Sequence, residues 1–142
     1  MATFPPDFGA LVQRTQAAPA AGADTTHLGP ATVRWRIRNV SFTFTTDATV
    51  GNRRVILFLS TSTGSQIMCP SSILQTASQT IVYRFVAGMS VPAIQTLVYI
   101  VLPMPDNVIL DGQATINTVN EGMVAGDQIG IMNIFTEEWI RP

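Results

Sequence analysis

The clearest structural signal in the sequence is VRWRIRNVSFTF, residues 33–44. In its first half, arginines alternate with apolar side chains, which is the period-two pattern of a β-strand with one buried and one solvated face. The apolar series then continues one residue out of step at Val40, Phe42 and Phe44. A β-bulge near Arg38 and Asn39 would return these side chains to the core face. The stretch therefore predicts a long, bulged strand.

Short β-type runs separated by turn residues fill the chain after residue 31. They cover residues 55–59, 67–68, 81–86, 97–102, 108–110, 114–119 and 128–139. No helix pattern interrupts them, so we expect an all-β fold, an antiparallel β-sandwich or barrel, and the number of strands favours a jelly roll. Residues 55–59 and 97–102 are apolar on both faces. Their second face needs a covering, either from loops of the chain or from a sister subunit.

Residues 1–30 differ in composition, because proline, alanine and glycine replace the pattern that builds a core. We expect an extended N-terminal arm over residues 1–30 and a β-sandwich domain over residues 31–142 that folds without the arm. The spacing of the apolar residues after Pro6 also permits one or two helical turns. The expected anchors of the arm on a partner are its larger apolar side chains: Phe4, Phe8, Leu11 and Val12.

Charged residues make up only 12% of the chain, about half the usual share, while the hydrophobic share of 46% is ordinary. All eight basic residues are arginine. A polar surface with few charges is easily desolvated against a neighbour, so the composition favours an assembling protein. The net charge of −1 gives no electrostatic reason to expect a nucleic-acid partner. Neither a signal peptide nor a membrane helix is expected.

Residues that could carry catalysis or bind a metal are sparse. His27 is the only histidine and Cys69 the only cysteine, too few for a zinc site. His27 lies in the expected arm, where no rigid neighbour would orient a catalytic base. Most carboxylates fall at turns, where they make local hydrogen bonds, and a calcium site built from such turns is the alternative. We expect no catalytic residue, no cofactor and no metal.

Arg34, Arg36 and Arg38 form the strongest charged group, since they share one predicted strand face. They could form a docking stripe for an acidic partner or for nucleic acid. Alternatively, they could pair across the sheet with Glu137 or Glu138, which are adjacent on the last strand and point to opposite faces. The pairing is favoured, because the arginine face lacks aromatic residues that could stack bases. The three arginines remain candidate partner-binding residues together with the anchors of the arm.

The strand series resembles small virion proteins of tailed bacteriophages over residues 31–140. The resemblance rests on residues 33–48 with residues 52–55, on the turn LPMPD at residues 102–106, and on the closing Glu137-Glu138-Trp139. It implies a capsid decoration (cement) protein, whose jelly roll sits on the shell while an arm binds beneath it. It further implies a homotrimer, the major capsid protein as partner, and a place in the virion after synthesis in the host cytoplasm.

Two other functions remain open from the sequence. A neck, tail or fibre-associated virion protein would show the same patterns. A carbohydrate-binding module for host attachment would need an exposed aromatic platform, whereas the tryptophans and tyrosines are expected to lie mostly buried in strands. An enzyme is the least favoured class, given the residues available. The leading hypothesis is a non-enzymatic virion structural protein that bridges major capsid subunits.

Overall fold

The structure, a computed structural model, describes residues 9–90 and 98–140. Within these ranges the chain forms eleven β-strands and no helix. No helix that could span a membrane is therefore found in the described part. The strands are β1 (Ala10–Gln16), β2 (Thr26–Leu28), β3 (Val33–Thr45), β4 (Ile56–Ser60), β5 (Gln66–Pro70), β6 (Thr80–Ala87), β7 (Tyr99–Met104), β8 (Ile109–Leu110), β9 (Thr115–Thr118), β10 (Gln128–Ile129) and β11 (Met132–Ile140).

The strands form two sheets that pack face to face. The large sheet has the order β1-β11-β3-β6-β7, with β8 and β10 also paired to β3, and the small sheet has the order β2-β9-β4-β5. Side chains of both sheets share one hydrophobic core, which confirms the expected all-β sandwich. The sandwich has more strands than the eight of a simple jelly roll. Pairing among the described strands is antiparallel except between β6 and β7, which run parallel.

β3 is the central strand of the large sheet, and it contains the predicted bulge. Asn39 lies opposite Phe135 of β11, whereas Ile37 lies opposite the next residue, Thr136. Arg38 is thus the extra residue, and the strand keeps its apolar side chains on the core face on both sides of it. The buried side chains of β3 are Trp35, Ile37, Val40, Phe42 and Phe44.

The segment expected as an arm is extended, but two stretches of its described part pair with the sandwich. β1 pairs with β11 over its whole length, from Ala10 opposite Glu138 to Gln16 opposite Met132. β2 pairs with β9 in the small sheet. This segment therefore contributes a strand to each sheet, because backbone hydrogen bonds at a sheet edge require no apolar sequence pattern. The strand β1 therefore forms where the spacing of the apolar residues after Pro6 also permitted one or two helical turns.

The two runs that are apolar on both faces are partly covered by the chain itself. Ile56 of β4 lies outside the shared core and is nevertheless only 5% exposed. Val101 of β7 is buried in the same way. Residue 97, where the second run begins, lies outside the described residues. Ile56 and Val101 are therefore buried without a sister subunit, whereas Val98 of the second run is 63% exposed.

Candidate protein-interaction surface

The outer face of the large sheet gathers most of the residues singled out from the sequence. Arg36 lies opposite Glu137 on one side and opposite Ile109 of β8 on the other, and Leu11 lies opposite Glu137 from β1. Residues directly opposite each other in paired strands share a face. We call this region the arginine face, and its side chains are Leu11, Arg34, Arg36, Arg38, Ile109, Phe135, Glu137 and Trp139.

Glu137 is the centre of the arginine face and is itself buried. Its Oε2 accepts hydrogen bonds from Arg38 Nε at 3.1 Å and Arg38 Nη2 at 2.6 Å. Its Oε1 accepts the backbone N–H of Gly9 at 3.1 Å. Desolvation alone would raise the pKa of Glu137, but the Gly9 N–H and the two guanidinium groups of Arg38 and Arg36 outweigh it and lower the pKa. The carboxylate is therefore ionised at neutral pH and fully compensated.

The three arginines of this face are paired with carboxylates, as favoured from the sequence. The expectation that the face lacks aromatic residues is wrong, because Phe135 and Trp139 share it. Three guanidinium groups meet three carboxylates, so these six charges cancel. The face consequently lacks the uncompensated positive stripe that an acidic partner or nucleic acid would require. The pairs are Arg34–Asp111 at 3.3 Å, Arg36–Glu137 at 3.5 Å, Arg38–Glu137 at 2.6 Å and Arg38–Asp106 at 2.8 Å.

Exposed apolar side chains surround the paired arginines. Leu11 is 78% exposed, Ile109 55% and Phe135 45%. The ring of Trp139 lies under the guanidinium of Arg36, which is 5.3 Å from the ring centroid. Arginine and aromatic side chains without excess charge are typical of the buried centre of protein–protein interfaces. This face is therefore suited to binding another protein.

The structure brings together only part of the predicted binding set. Leu11 joins the three arginines, but Val12 lies opposite the buried Thr136 and points to the interior side of the sheet. Phe4 and Phe8 lie outside the described residues. The sequence reasoning did not identify Phe135, although two-residue periodicity from Glu137 would have placed it on the same face. Ile109 could not be found in this way, because its position depends on the register between β3 and β8.

The interior side of β11 carries a second ion pair. Arg14 of β1 donates to both carboxylate oxygens of Glu138, with Nε–Oε1 at 2.6 Å and Nη2–Oε2 at 2.7 Å. The hydroxyl of Thr136 donates to Glu138 Oε1 at 2.7 Å. The Arg14 hydrogen bond lowers the pKa of Glu138 and, with Thr136, outweighs desolvation, which would raise it. Glu137 and Glu138 thus serve opposite faces of the strand, as their adjacency predicts.

His27 lies beside this interior pair, held in β2 and buried. Its ring meets Trp35 edge-on, with 6.3 Å between ring centroids. Burial lowers the pKa of His27, and the charge of Arg14 lowers it further, while Glu138 opposes the shift. The expectation that His27 lies in a flexible arm is corrected, because strand pairing fixes it. The imidazole is neutral at neutral pH.

The described residues contain no group of three or more His, Cys, Asp or Glu side chains that could hold a metal ion. Cys69 is buried, and this burial raises the pKa of its thiol. A thiolate is the reactive form of cysteine, so the thiol is a weak nucleophile at neutral pH.

The molecule is thus a two-sheet β-sandwich with a charge-balanced, partly apolar face. Neither a protein-family model nor a curated protein matches the sequence. Similar solved structures include PfGH50B, 10% identical with a TM-score of 0.44, covering 94% of this chain and 23% of that one. Another is the structure of infectious bursal disease virus Gx strain, 13% identical with a TM-score of 0.37, covering 94% and 32%. This chain spans about a quarter and a third of their lengths, and similarities of this size establish neither family nor function.

Proposed function

We propose that the chain is a non-enzymatic virion structural protein, a capsid decoration protein that binds the major capsid protein and stabilises the shell. The observation that supports this proposal is the arginine face, where paired charges lie among three exposed apolar side chains. The resemblance of residues 31–140 to small virion proteins of tailed bacteriophages supplies the class of partner. The protein would be made in the host cytoplasm and act in the virion.

The charge balance of the arginine face lowers the cost of binding. Burying an unpaired charge is expensive, whereas these guanidinium groups already have carboxylate partners in the free chain. The favourable free energy then comes from covering Leu11, Ile109 and Phe135, at about 25 cal/mol for each Å² of apolar surface removed from water. A chain bound across the seam between two capsid subunits would add this buried area to their contact and resist separation.

The same surface would serve a neck, tail or fibre-associated protein, which differs only in its partner. A carbohydrate-binding module is less well supported, because stacking on a sugar needs a platform of open aromatic rings, and Phe135 is the one largely exposed aromatic side chain among the described residues. The described tryptophans and tyrosines are either buried in the core or covered by an arginine. Trp35 and Tyr83 are buried, Arg36 lies over Trp139, and Arg84 lies over Tyr99.

The proposal is tested by co-sedimentation of the purified chain with shells assembled from the major capsid protein of the same virus. We expect the wild-type chain to sediment with the shells. Leu11→Ser and Phe135→Ser should each weaken binding at least about tenfold, the effect of losing an interface anchor. Leu11 is 78% exposed, so its substitution should alter folding by no more than about 0.5 kcal/mol. Phe135 is 45% exposed, so circular dichroism verifies that its variant is folded.

Val50→Ser is the matched control, because Val50 is exposed in a loop away from the arginine face. It removes a similar amount of exposed apolar surface and should bind like the wild type. The proposal is wrong if the wild-type chain does not sediment with the shells. It is also wrong if the Leu11 and Phe135 variants bind as tightly as the control. A mass-spectrometric inventory of purified particles provides the independent check that the chain is a virion component.

A further inference from the structure

β1 forms one edge of the large sheet, and one side of its backbone is free of strand pairing. Among the described strands its partner is β11 alone. Every second N–H and C=O group along β1 therefore points away from the sheet. An edge in this state can accept a further strand through backbone hydrogen bonds.

β1 has few of the features that protect exposed sheet edges. It is seven residues long and contains neither proline nor lysine. Its charged residue, Arg14, is held by the bidentate pair with Glu138 of β11, the strand on the other side. The remaining edge strands are less open: β7 contains Pro103, β5 ends at Pro70 and β2 has only three residues.

We propose that the free edge of β1 binds the β1 of a second copy of this chain, antiparallel, around a two-fold axis at Gln13. The strand reads ALVQRTQ. With Gln13 opposite the partner's Gln13, Leu11 lies opposite the partner's Thr15. Val12 then lies opposite the partner's Arg14, and the ends of the two strands, residues 10 and 16, meet each other.

The facing charges and the number of paired residues favour this register over the neighbouring registers. It pairs all of residues 10–16 and places no two charged side chains opposite each other. An axis at Arg14 would set two guanidinium groups face to face, which destabilises a strand pair. An axis at Val12 would pair only residues 10–14. A shift by a single residue would place outward side chains opposite inward ones.

The pairing joins two large sheets into one continuous sheet. Because the axis is perpendicular to that sheet, both arginine faces lie on the same side of the dimer. The assembly is a two-fold dimer, in contrast to the homotrimer implied by the resemblance. The inference concerns the purified chain alone, so its outcome is independent of whether the chain binds a capsid.

The test measures the mass of the full chain by light scattering at micromolar concentration, followed by disulfide crosslinking of single-cysteine substitutions. We expect twice the mass of one chain. Gln13→Cys should form a covalent dimer under mild oxidation, because the two cysteines face each other across the axis. The native Cys69 is buried, and the unsubstituted chain under the same oxidant controls for it.

Thr15→Cys is the matched control, since Thr15 is exposed on the same strand. In the proposed register its two copies lie four residues apart, about 13 Å along the strand, which is too far for a disulfide. A mixture of Leu11→Cys and Thr15→Cys chains should instead crosslink with each other. A monomeric or trimeric mass overturns the proposal, as does a Thr15→Cys chain that crosslinks as readily as Gln13→Cys. Circular dichroism verifies that each variant is folded.

Discussion

The guanidinium of Arg53 and the carboxylate of Asp127 form an ion pair, with Nε and Oδ2 3.0 Å apart and neither side chain exposed. Arg53 Nη1 also donates to the carbonyl of Thr49 at 2.8 Å. The carboxylate accepts the backbone N–H groups of Asp47 and Val124, each at 2.9 Å. The pair therefore fastens the loop after β3 to the loop before β10, at the end of the sandwich remote from the start of β3.

Replacing Asp127 with alanine should destabilise the chain by about 3–5 kcal/mol. The buried guanidinium of Arg53 keeps only Asp47 as an ionic partner, and the backbone N–H groups of Asp47 and Val124 lose their acceptor. Urea unfolding followed by tryptophan fluorescence measures this loss. Asp111→Ala is the matched control, since it breaks the pair with Arg34 on the surface, where the two side chains are 58% and 47% exposed. That change should cost no more than about 1 kcal/mol. Equal losses in the two variants would contradict the structural role of the buried pair.

Lowering the pH should destabilise the chain in two steps, the first from His27 and the second from carboxylates that include Glu138, Glu137 and Asp127, whose pKa values are all lowered. The pKa of His27 is lowered from its ordinary 6.5, and that of Glu138 is lowered from its ordinary 4.5. In both cases the unfolded chain binds the proton first, so each contribution is present above the ordinary value and is lost as the pH falls through the folded value. Thermal unfolding followed over this pH range measures both steps.

The variant His27→Leu should lack the first of these steps and keep the second. Protonation of the wild-type imidazole is unfavourable because the guanidinium of Arg14 is close, although the carboxylate of Glu138 partly offsets it. In addition, Nε2 of His27 is buried and makes no hydrogen bond to the part of the chain that the structure describes. A first step that persists unchanged in His27→Leu would assign it to another group.

Trp35→Ala should destabilise the sandwich by about 3–5 kcal/mol, the usual loss for a large buried aromatic side chain. Trp35 is fully buried, and Gly29 packs so closely on its ring that an added Cβ would lie 2.4 Å from it. The substitution would therefore leave a cavity that is bounded by backbone at Gly29, and this cavity could not close easily. Chemical unfolding monitored by circular dichroism measures the change. A loss below about 1 kcal/mol would show that Trp35 lies at the surface.

Deleting residues 1–28 should severely destabilise the chain, the reverse of what the composition of this segment predicts. The deletion removes β1 and β2 and leaves the buried carboxylate of Glu138 without Arg14. A shorter deletion of residues 1–16 separates the two effects, because it removes β1 and keeps β2. Circular dichroism and urea unfolding report the result. A fully folded and equally stable 29–142 chain would show that these strands are dispensable.

The strands with regular alternation could be predicted from sequence, and the pairing between them could not. Alternation across residues 33–44 located β3 and its bulge, since only an extra residue keeps Ile37 and Val40 on one face. β1 carries no such signal, because its side chains alternate without separating polar from apolar. It forms by hydrogen bonding to the edge of β11, which depends on the tertiary fold. The parallel direction of β7 beside β6 is likewise invisible in side-chain periodicity.

The candidate site could likewise be predicted only in part from the sequence. The opposite orientations of Glu137 and Glu138 follow from adjacency on a strand. Pairing of the arginines with Glu137 or Glu138 was favoured over partner docking because no aromatic residues were expected on their face. The contributions of Asp106 and Asp111 required the positions of loops, which carry no periodic signal. Leu11 reached the arginine face through the register of β1 with β11, for which the sequence of β1 alone offers no guide.

The pairing of β1 with β11 also sets an order of events in folding. The first described strand completes its ladder only with the last, and the hydrogen bond from Gly9 to Glu137 spans 128 positions of the chain. During synthesis, β1 therefore remains without its partner until β11 has left the ribosome. Closing so long a loop carries a large entropic cost before the contact is gained, so folding should be slow for a domain of this size, on the order of milliseconds to seconds. A free β1 edge in this interval is the part of the nascent chain most prone to pairing with the wrong partner.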